Sequence, residues 1–175
     1  MQGSSHHPVT ARILGCVQGV VGALEQIVAR LAVPSRHADA HRHGHPLSIA
    51  ILDLDHFKRI NDTHGHKTGD DVLVMAAHAL GTHLRAEDQL GRLGGEEFLI
   101  LLPDTDAAAA SHVAEKLRHE VAAAPSPVPV TVSVGVATWD GEASDDLLQR
   151  ADDALYAAKD AGRDRVMAAT LHGRT

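Results

Sequence analysis

Residues 89–102 read QLGRLGGEEFLILL, two strand-like apolar runs on either side of a glycine pair. A tight turn between strands needs positive φ, which glycine adopts at no steric cost, so the stretch predicts a β-hairpin. The hairpin sets an antiparallel pair of strands in the middle of the chain. It accounts for Gly94 and Gly95 but not for Glu96 and Glu97. These two carboxylates open a strand whose composition marks it as buried. They either face solvent at the strand end or hold a ligand.

The segments around the hairpin fill in a domain. Leu47–Asp55 reads as a strand, apolar until Asp53 and Asp55. A polar turn follows, HFKRINDTHGHKTGD (56–70). Asp70–Arg85 is predicted helical, with Val72, Leu73, Ala76, Ala79, Leu80 and Leu84 on one face. Asp106–Ala123 is a second helix. Pro125, Pro127 and Pro129 mark a loop. In 130–138, Val130, Val132, Val134 and Val136 alternate as a strand requires. Ser144–Ala161 is a helix with Gly162 placed to close it, and Arg165–Ala169 is a short last strand. The order β-α-β-β-α-β-α, with that final strand, predicts an α/β domain of the α+β kind. Its core is one central, mainly antiparallel sheet flanked by helices, close to a split βαβ layout.

Composition narrows the function. The chain has 175 residues, 44% of them hydrophobic and 22% charged, as expected of one globular domain with an extra segment. Aromatic residues make up 2%, so the core must be built from Val, Leu, Ile and Ala. A formal net charge of −7 argues against a nucleic-acid polymer as partner. An anionic ligand would need local cations or a metal. Cys16 is the single cysteine, so no intrachain disulfide can form.

Upstream of the domain, Gly3–His7 reads as an expression-tag remnant, and 1–10 as disordered. In 11–32, Ile13, Val17, Val20, Leu24, Ile27 and Leu31 form a heptad-like seam. This helix packs on its own domain or pairs two chains; the sequence leaves both open. Its most apolar stretch, Ile13 to Leu24, is interrupted by Gln18 and is too short to span a membrane. His37, His41, His43 and His45 lie in a connector that reads as a solvated helix end and loop. The domain proper is assigned to 46–170, with 171–175 as a tail.

Asp53 and Asp55, two apart on a strand, point to one face. With Glu96 and Glu97 nearby, several carboxylates would converge, an arrangement that a hard divalent cation such as Mg²⁺ tolerates. Asp55 is the member for which simple exposure at the strand end remains open. His56, Phe57 and Lys58 begin a turn or helix whose free backbone N–H groups would be offered to phosphate. Lys159 and Arg163, four apart, would share a face of the last helix. A metal site, free amides and a cationic pair together suit phosphoryl transfer.

Four stretches carry a resemblance: DLDHFKRINDTHGHKTGDDVL (53–73), LRAEDQLGRLGGEEF (84–98), VTVSVGVAT (130–138) and RADDALYAAKDAGRDRV (150–166). Together and in this order they resemble the GGDEF domain of diguanylate cyclases, with GGEEF as the variant signature. The resemblance implies a palm-like fold of the nucleotide-cyclase type. It implies that each domain binds one GTP with Mg²⁺ or Mn²⁺. Two domains then meet as a homodimer and join two GTP into cyclic di-GMP, releasing two pyrophosphates.

By position, the resemblance makes Asp53, the Leu54 carbonyl and Glu96 the metal ligands. Glu96 also becomes a candidate for deprotonating the 3′-hydroxyl, and Glu97 a support to the site. Phe57, Lys58, Gly94 and Gly95 would lie along the nucleotide, with Asn61 and Asp70 on the guanine edge. Lys159 and Arg163 would bind the phosphates. Arg85 and Asp88, in an RxxD pattern, would bind product as an inhibitory site, with Lys116 as a further basic contact. An i, i+3 salt bridge is the plain alternative for that pair. The family's opening DxLTGLxNRR stretch is not found in GCVQGVVGALEQIVARLAV (15–33), which bears on substrate affinity. The resemblance thus implies a cytoplasmic cyclase. The alternative is a GGDEF-like module that binds GTP or cyclic di-GMP with little turnover.

Overall fold

A computed structural model describes residues 46–170 and, in a helical conformation, Gly22. The expectations for 1–10, the seam of 11–32, the histidines of 37–45 and the tail 171–175 therefore fall outside the described residues, Gly22 apart. The elements in order are β1 (Leu47–Leu54), α1 (Phe57–His64), α2 (His66–Thr82), β2 (Gln89–Gly94), β3 (Glu97–Pro103), α3 (Ala107–Ala123), β4 (Val132–Thr138), α4 (Ser144–Asp160) and β5 (Val166–Ala168).

The strands form one five-stranded sheet in the order β2-β3-β1-β4-β5. All pairings are antiparallel except β4 with β5, which is parallel. This is the mainly antiparallel, helix-flanked sheet expected from the sequence. The central strand β1 is buried at every residue. Ala50, Leu52 and Leu54 face a core shared with α1, α2 and α3. Leu47, Ile49 and Ile51 face a second core under α4. A strand covered on both sides needs apolar residues at every position, which is why LSIAILDL shows little alternation.

β4 resolves the two faces differently. Val132, Val134 and Val136 enter the first core, while Ser133, Gly135 and Ala137 lie toward α4. Gly135 lets α4 approach the sheet: a Cβ there would stand 2.1 Å from the Ala151 carbonyl oxygen and 2.3 Å from the Leu155 nitrogen. α4 is thus set on the sheet backbone-close, and this fixes where its last turn ends.

The polar turn expected after β1 is a helix. Residues 57–64 form α1, and α2 begins at His66 rather than Asp70. Gly65, with φ 84°, makes the sharp break between them. α1 buries Phe57 and Ile60 one turn apart, too short a pattern to announce a helix in a stretch otherwise polar. At the other end, α2 stops at Thr82, so Leu84 and Arg85 lie beyond it. The N-cap of α3 is Asp106, whose side chain accepts the Ala109 N–H at 2.8 Å.

Candidate active site

The hairpin turn is shifted by one residue from the expected glycine pair. Gly94 belongs to β2 and pairs with Glu97, so the two-residue turn is Gly95–Glu96. Gly95 supplies the positive φ, 49°. Glu96 therefore sits on the turn and Glu97 is the first residue of β3. Arg92 holds the turn from below, its Nε donating to the Gly95 carbonyl at 2.8 Å and its Nη2 to the same oxygen.

The turn lies at the end of β1. Asp53 pairs directly with Glu97 across the ladder, and Leu54 N–H donates to the Glu96 carbonyl at 3.3 Å. Like charges opposite one another in a ladder are unfavourable. The compensation comes from α4: Lys159 Nζ stands 2.9 Å from Asp53 Oδ2. Burial still dominates at Asp53 and pushes its carboxyl above the ordinary value, with Lys159 opposing and the nearby Glu96 and Asp55 adding to the rise. Glu97 is raised too, by burial first and then by Asp53.

Asp55 is not exposed at a strand end. It is buried, and its carboxylate accepts Thr131 Oγ1 at 2.6 Å, Ser133 Oγ at 2.7 Å and the Asp164 N–H at 3.1 Å. Those bonds turn it toward β4 and the segment after α4. Asp53 and Asp55 thus divide the work: one faces Glu97 and Lys159, the other organises the neighbouring backbone.

Arg163 also stands elsewhere than expected. α4 ends at Asp160, so Arg163 is not on the helix beside Lys159. Gly162 N–H bonds to the Lys159 carbonyl at 3.3 Å and Arg163 N–H to the Ala158 carbonyl at 3.1 Å. With φ 109° at Gly162, this is a Schellman closure with Gly162 at C′. Arg163 and Asp164 follow with φ 62° and 46°. Two successive side-chain-bearing residues in the left-handed region cost about 1–2 kcal/mol each, so surrounding contacts must hold them.

The base-side candidates meet at the α1–α2 junction. Gly69 presses on Asn61 so closely that a Cβ would stand 1.9 Å from Asn61 Oδ1. Asn61 Oδ1 is buried with no hydrogen-bond partner. Asp70, next to Gly69, is exposed beside it. A buried amide without a partner is costly unless something completes it, and a nucleobase edge carries the needed groups. Below it, α1 starts from His56 in the left-handed region with no capping side chain. Phe57 is buried, while Lys58 is exposed in that first turn.

Asp88 is buried, and its Oδ2 accepts the backbone N–H of Arg85 at 2.8 Å. The pair therefore closes a turn through the backbone rather than as the i, i+3 salt bridge, and the Arg85 side chain is exposed. Lys116 is exposed on α3, and among the described residues no hydrogen bond or ion pair ties it to Arg85 or Asp88.

The donor set suits a hard cation. Asp53 and Glu97 face each other, with Glu96 on the adjoining turn, and all offer oxygen. Among the described residues no three His, Cys, Asp or Glu side chains already surround one point. Oxygen donors of this kind are what a hard cation such as Mg²⁺ takes.

Residues 26–165 match the sequence profile of the family described as "Diguanylate cyclase, GGDEF domain". The chain belongs to the GGDEF-domain family of diguanylate cyclases. Diguanylate cyclase DgcP of Pseudomonas aeruginosa is 46% identical over 149 residues, which is 82% of this chain and 21% of that protein. This GGDEF chain therefore spans about a fifth of that relative's length. The active GGEEF domain of a diguanylate cyclase from Vibrio cholerae superposes with a TM-score of 0.79 at 32% identity, covering 91% of this chain and 99% of that one. The GGDEF domain of DgcB from Caulobacter crescentus, solved in complex with c-di-GMP, gives a TM-score of 0.77 at 31% identity, covering 96% and 97%.

Sequence reading missed Arg92, Arg118 and Asp164. Arg118 on α3 donates to Asp164 Oδ1 at 2.6 Å and to Glu115 Oε2 at 2.9 Å. Its guanidinium is held still more firmly protonated than usual by Glu115 and Asp164. The contact joins residues 46 apart, and no local pattern encodes it. Asp55 did have a signal: Thr131 and Ser133 are hydroxyl residues alternating with the valines of β4.

Proposed function

We propose that the domain is a GGEEF-type diguanylate cyclase that condenses two GTP into cyclic di-GMP and two pyrophosphates. The observation that carries this reading is the Asp53–Glu97 pair with Lys159 against it, beside the Gly95–Glu96 turn. Asn61 and Asp70 receive the guanine edge, and the unsatisfied Asn61 Oδ1 supports that role. The uncapped start of α1 at Phe57 and Lys58 faces the phosphates with free N–H groups. Lys159 and Arg163 add positive charge there. Asp53, Glu96 and the Leu54 carbonyl hold Mg²⁺ or Mn²⁺, with Glu97 in support. When bound, that ion would polarise the α-phosphate and neutralise charge developing on it.

Each domain contributes one nucleotide, so two domains pair face to face. The 3′-oxygen of each GTP forms a bond to the α-phosphorus of the other as its bond to pyrophosphate breaks. Glu96 accepts the 3′-hydroxyl proton. Arg85 and Asp88, with Lys116, bind the product and limit turnover. Among the described residues no helix is long and apolar enough to cross a membrane, and we place the domain in the cytoplasm, where GTP is made.

The test is incubation of the purified chain with GTP and Mg²⁺, with products separated by chromatography. Cyclic di-GMP and pyrophosphate are expected in a 1:2 ratio. Retained GTP binding with no product at protein concentrations that force pairing would instead support a binding module. Arg85→Ala should relieve product inhibition; an unchanged inhibition curve would remove Arg85 from the product site.

A further inference from the structure

Arg163 follows α4 in a strained turn, its N–H on the Ala158 carbonyl at 3.1 Å and its carbonyl accepting Arg165 Nε at 3.0 Å. Arg163 and Asp164 are both left-handed, and Asp164 is held from two directions. Its N–H donates to Asp55 Oδ2 at 3.1 Å. Its Oδ1 accepts Arg118 Nη1 at 2.6 Å. Neither holder is loose. Asp55 is fixed by Thr131 and Ser133. Arg118 uses its other nitrogens on Glu115, at 2.9 Å, and on His119 Nε2, at 3.0 Å. Just beyond, the Arg165 carbonyl accepts Val134 N–H at 2.9 Å, which ties the turn to the sheet.

We propose that Asp55 and Arg118 are positioning residues that clamp Asp164, one by its backbone N–H and the other by its carboxylate, and thereby aim Arg163 at the nucleotide's terminal phosphates. The proposal rests on the cyclase reading for the identity of the ligand. The clamp itself rests on the contacts above. Lys159 lies within α4 and Arg163 lies beyond it, so the two cations of the phosphate end are held by different means. α4 packing on Gly135 sets Lys159. Asp55 and Arg118 set Arg163. Loss of the clamp therefore removes the contribution of Arg163 and leaves that of Lys159.

The experiment uses the full chain with Mg²⁺ and compares calorimetric binding of a nonhydrolysable guanosine triphosphate analogue with that of guanosine monophosphate. Arg118→Ala is expected to weaken triphosphate binding about tenfold and to leave monophosphate binding within about twofold. Arg118→Lys should recover part of the loss, since a single donor can still reach Asp164. In an Arg163→Ala background, Arg118→Ala should add nothing. Equal weakening of both nucleotides, or additive losses in the double variant, would overturn the proposal. Asp164→Asn, a surface change that keeps the side-chain shape, carries the same expectation should Arg118→Ala fold poorly. Amide hydrogen exchange at 163–165 supplies a readout that needs no nucleotide. Exchange should quicken in Arg118→Ala, and unchanged protection there would overturn the clamp. Failure of the unaltered chain to bind the triphosphate analogue, with exchange still responding, would instead remove the cyclase reading and the aiming role with it.

Discussion

Glu97 stands opposite Asp53 in the ladder, and the two carboxylates share one ammonium, that of Lys159. Both carboxyls are raised above their ordinary values, chiefly by burial. They hold protons more tightly in the folded chain than in the unfolded one. Their contribution to stability therefore declines as pH rises out of the ordinary carboxylate range and through the raised folded values. Glu97→Gln removes the opposed charge and keeps the shape. It should stabilise the metal-free protein by about 0.5 kcal/mol at neutral pH. The gain should vanish under acid conditions, where the unfolded chain is protonated as well. Urea denaturation with and without the substitution, across pH, measures this. A gain that did not depend on pH would point to something other than the carboxylate pair. Glu97 shows where residue-level reading of the sequence stops. GGEEF announces two carboxylates at a turn, but only the register decides that Glu97 rather than Glu96 faces Asp53. The turn moved by one residue because one glycine serves the turn and the other ends the strand.

At the scale of elements, the seating of α4 decides the site. Gly135 removes the side chain that would hold the helix away, and Lys159 reaches Asp53 from that helix's last turn. Gly135→Ala places a Cβ against backbone atoms, which cannot swing aside as a flexible side chain can. It should cost about 3 kcal/mol and weaken nucleotide binding along with stability, because α4 must lift as a unit. Urea midpoints and triphosphate-analogue affinity measured on one preparation would check both halves; loss of one without the other would uncouple helix seating from the site. Much at this scale was legible. The valines of β4, the hydrophobic face of α2 and the closing Gly162 are local periodicities and local dihedral needs, which a sequence displays directly. The sequence leaves α1 open between a turn and a helix, and its length unmarked, because eight residues with two buried side chains carry little periodic signal. Arg163 was expected on a helix because spacing of four suggests a shared face. The closing Gly162 already marks the helix end ahead of Arg163, and the hydrogen bonds at Gly162 and Arg163 show the turn that replaces the shared face. Asp55 and Arg118 act across the fold, through partners that no spacing rule connects.

For the whole molecule, each described domain offers one hairpin turn, one α1–α2 junction and one Asp53–Lys159 pair, which on the proposed cyclase reading serve a single nucleotide. Closing a ring of two nucleotides needs two such surfaces. Product formation by the cyclase should therefore rise more steeply than linearly with protein concentration until pairing saturates. Initial rates over a hundredfold dilution series test this, and a rate per chain independent of concentration under dilute, monomeric conditions would argue against the paired arrangement. The Asp53–Lys159 contact has a consequence for how the two ligands arrive. If Asp53 ligates the metal as proposed, a divalent ion approaching alone must compete with an ammonium group for the same carboxylate. An ion accompanying a triphosphate brings replacement partners for that ammonium, and the competition disappears. The ion and the nucleotide are then thermodynamically linked, each tightening the other by the same factor. Calorimetric titration of Mn²⁺ with and without a triphosphate analogue, on the chain and on Lys159→Gln, would read that factor. It should shrink once the lysine is gone, while the affinity for the ion alone rises. Such linkage makes the domain respond to the charged nucleotide–metal complex as one species rather than to either component separately.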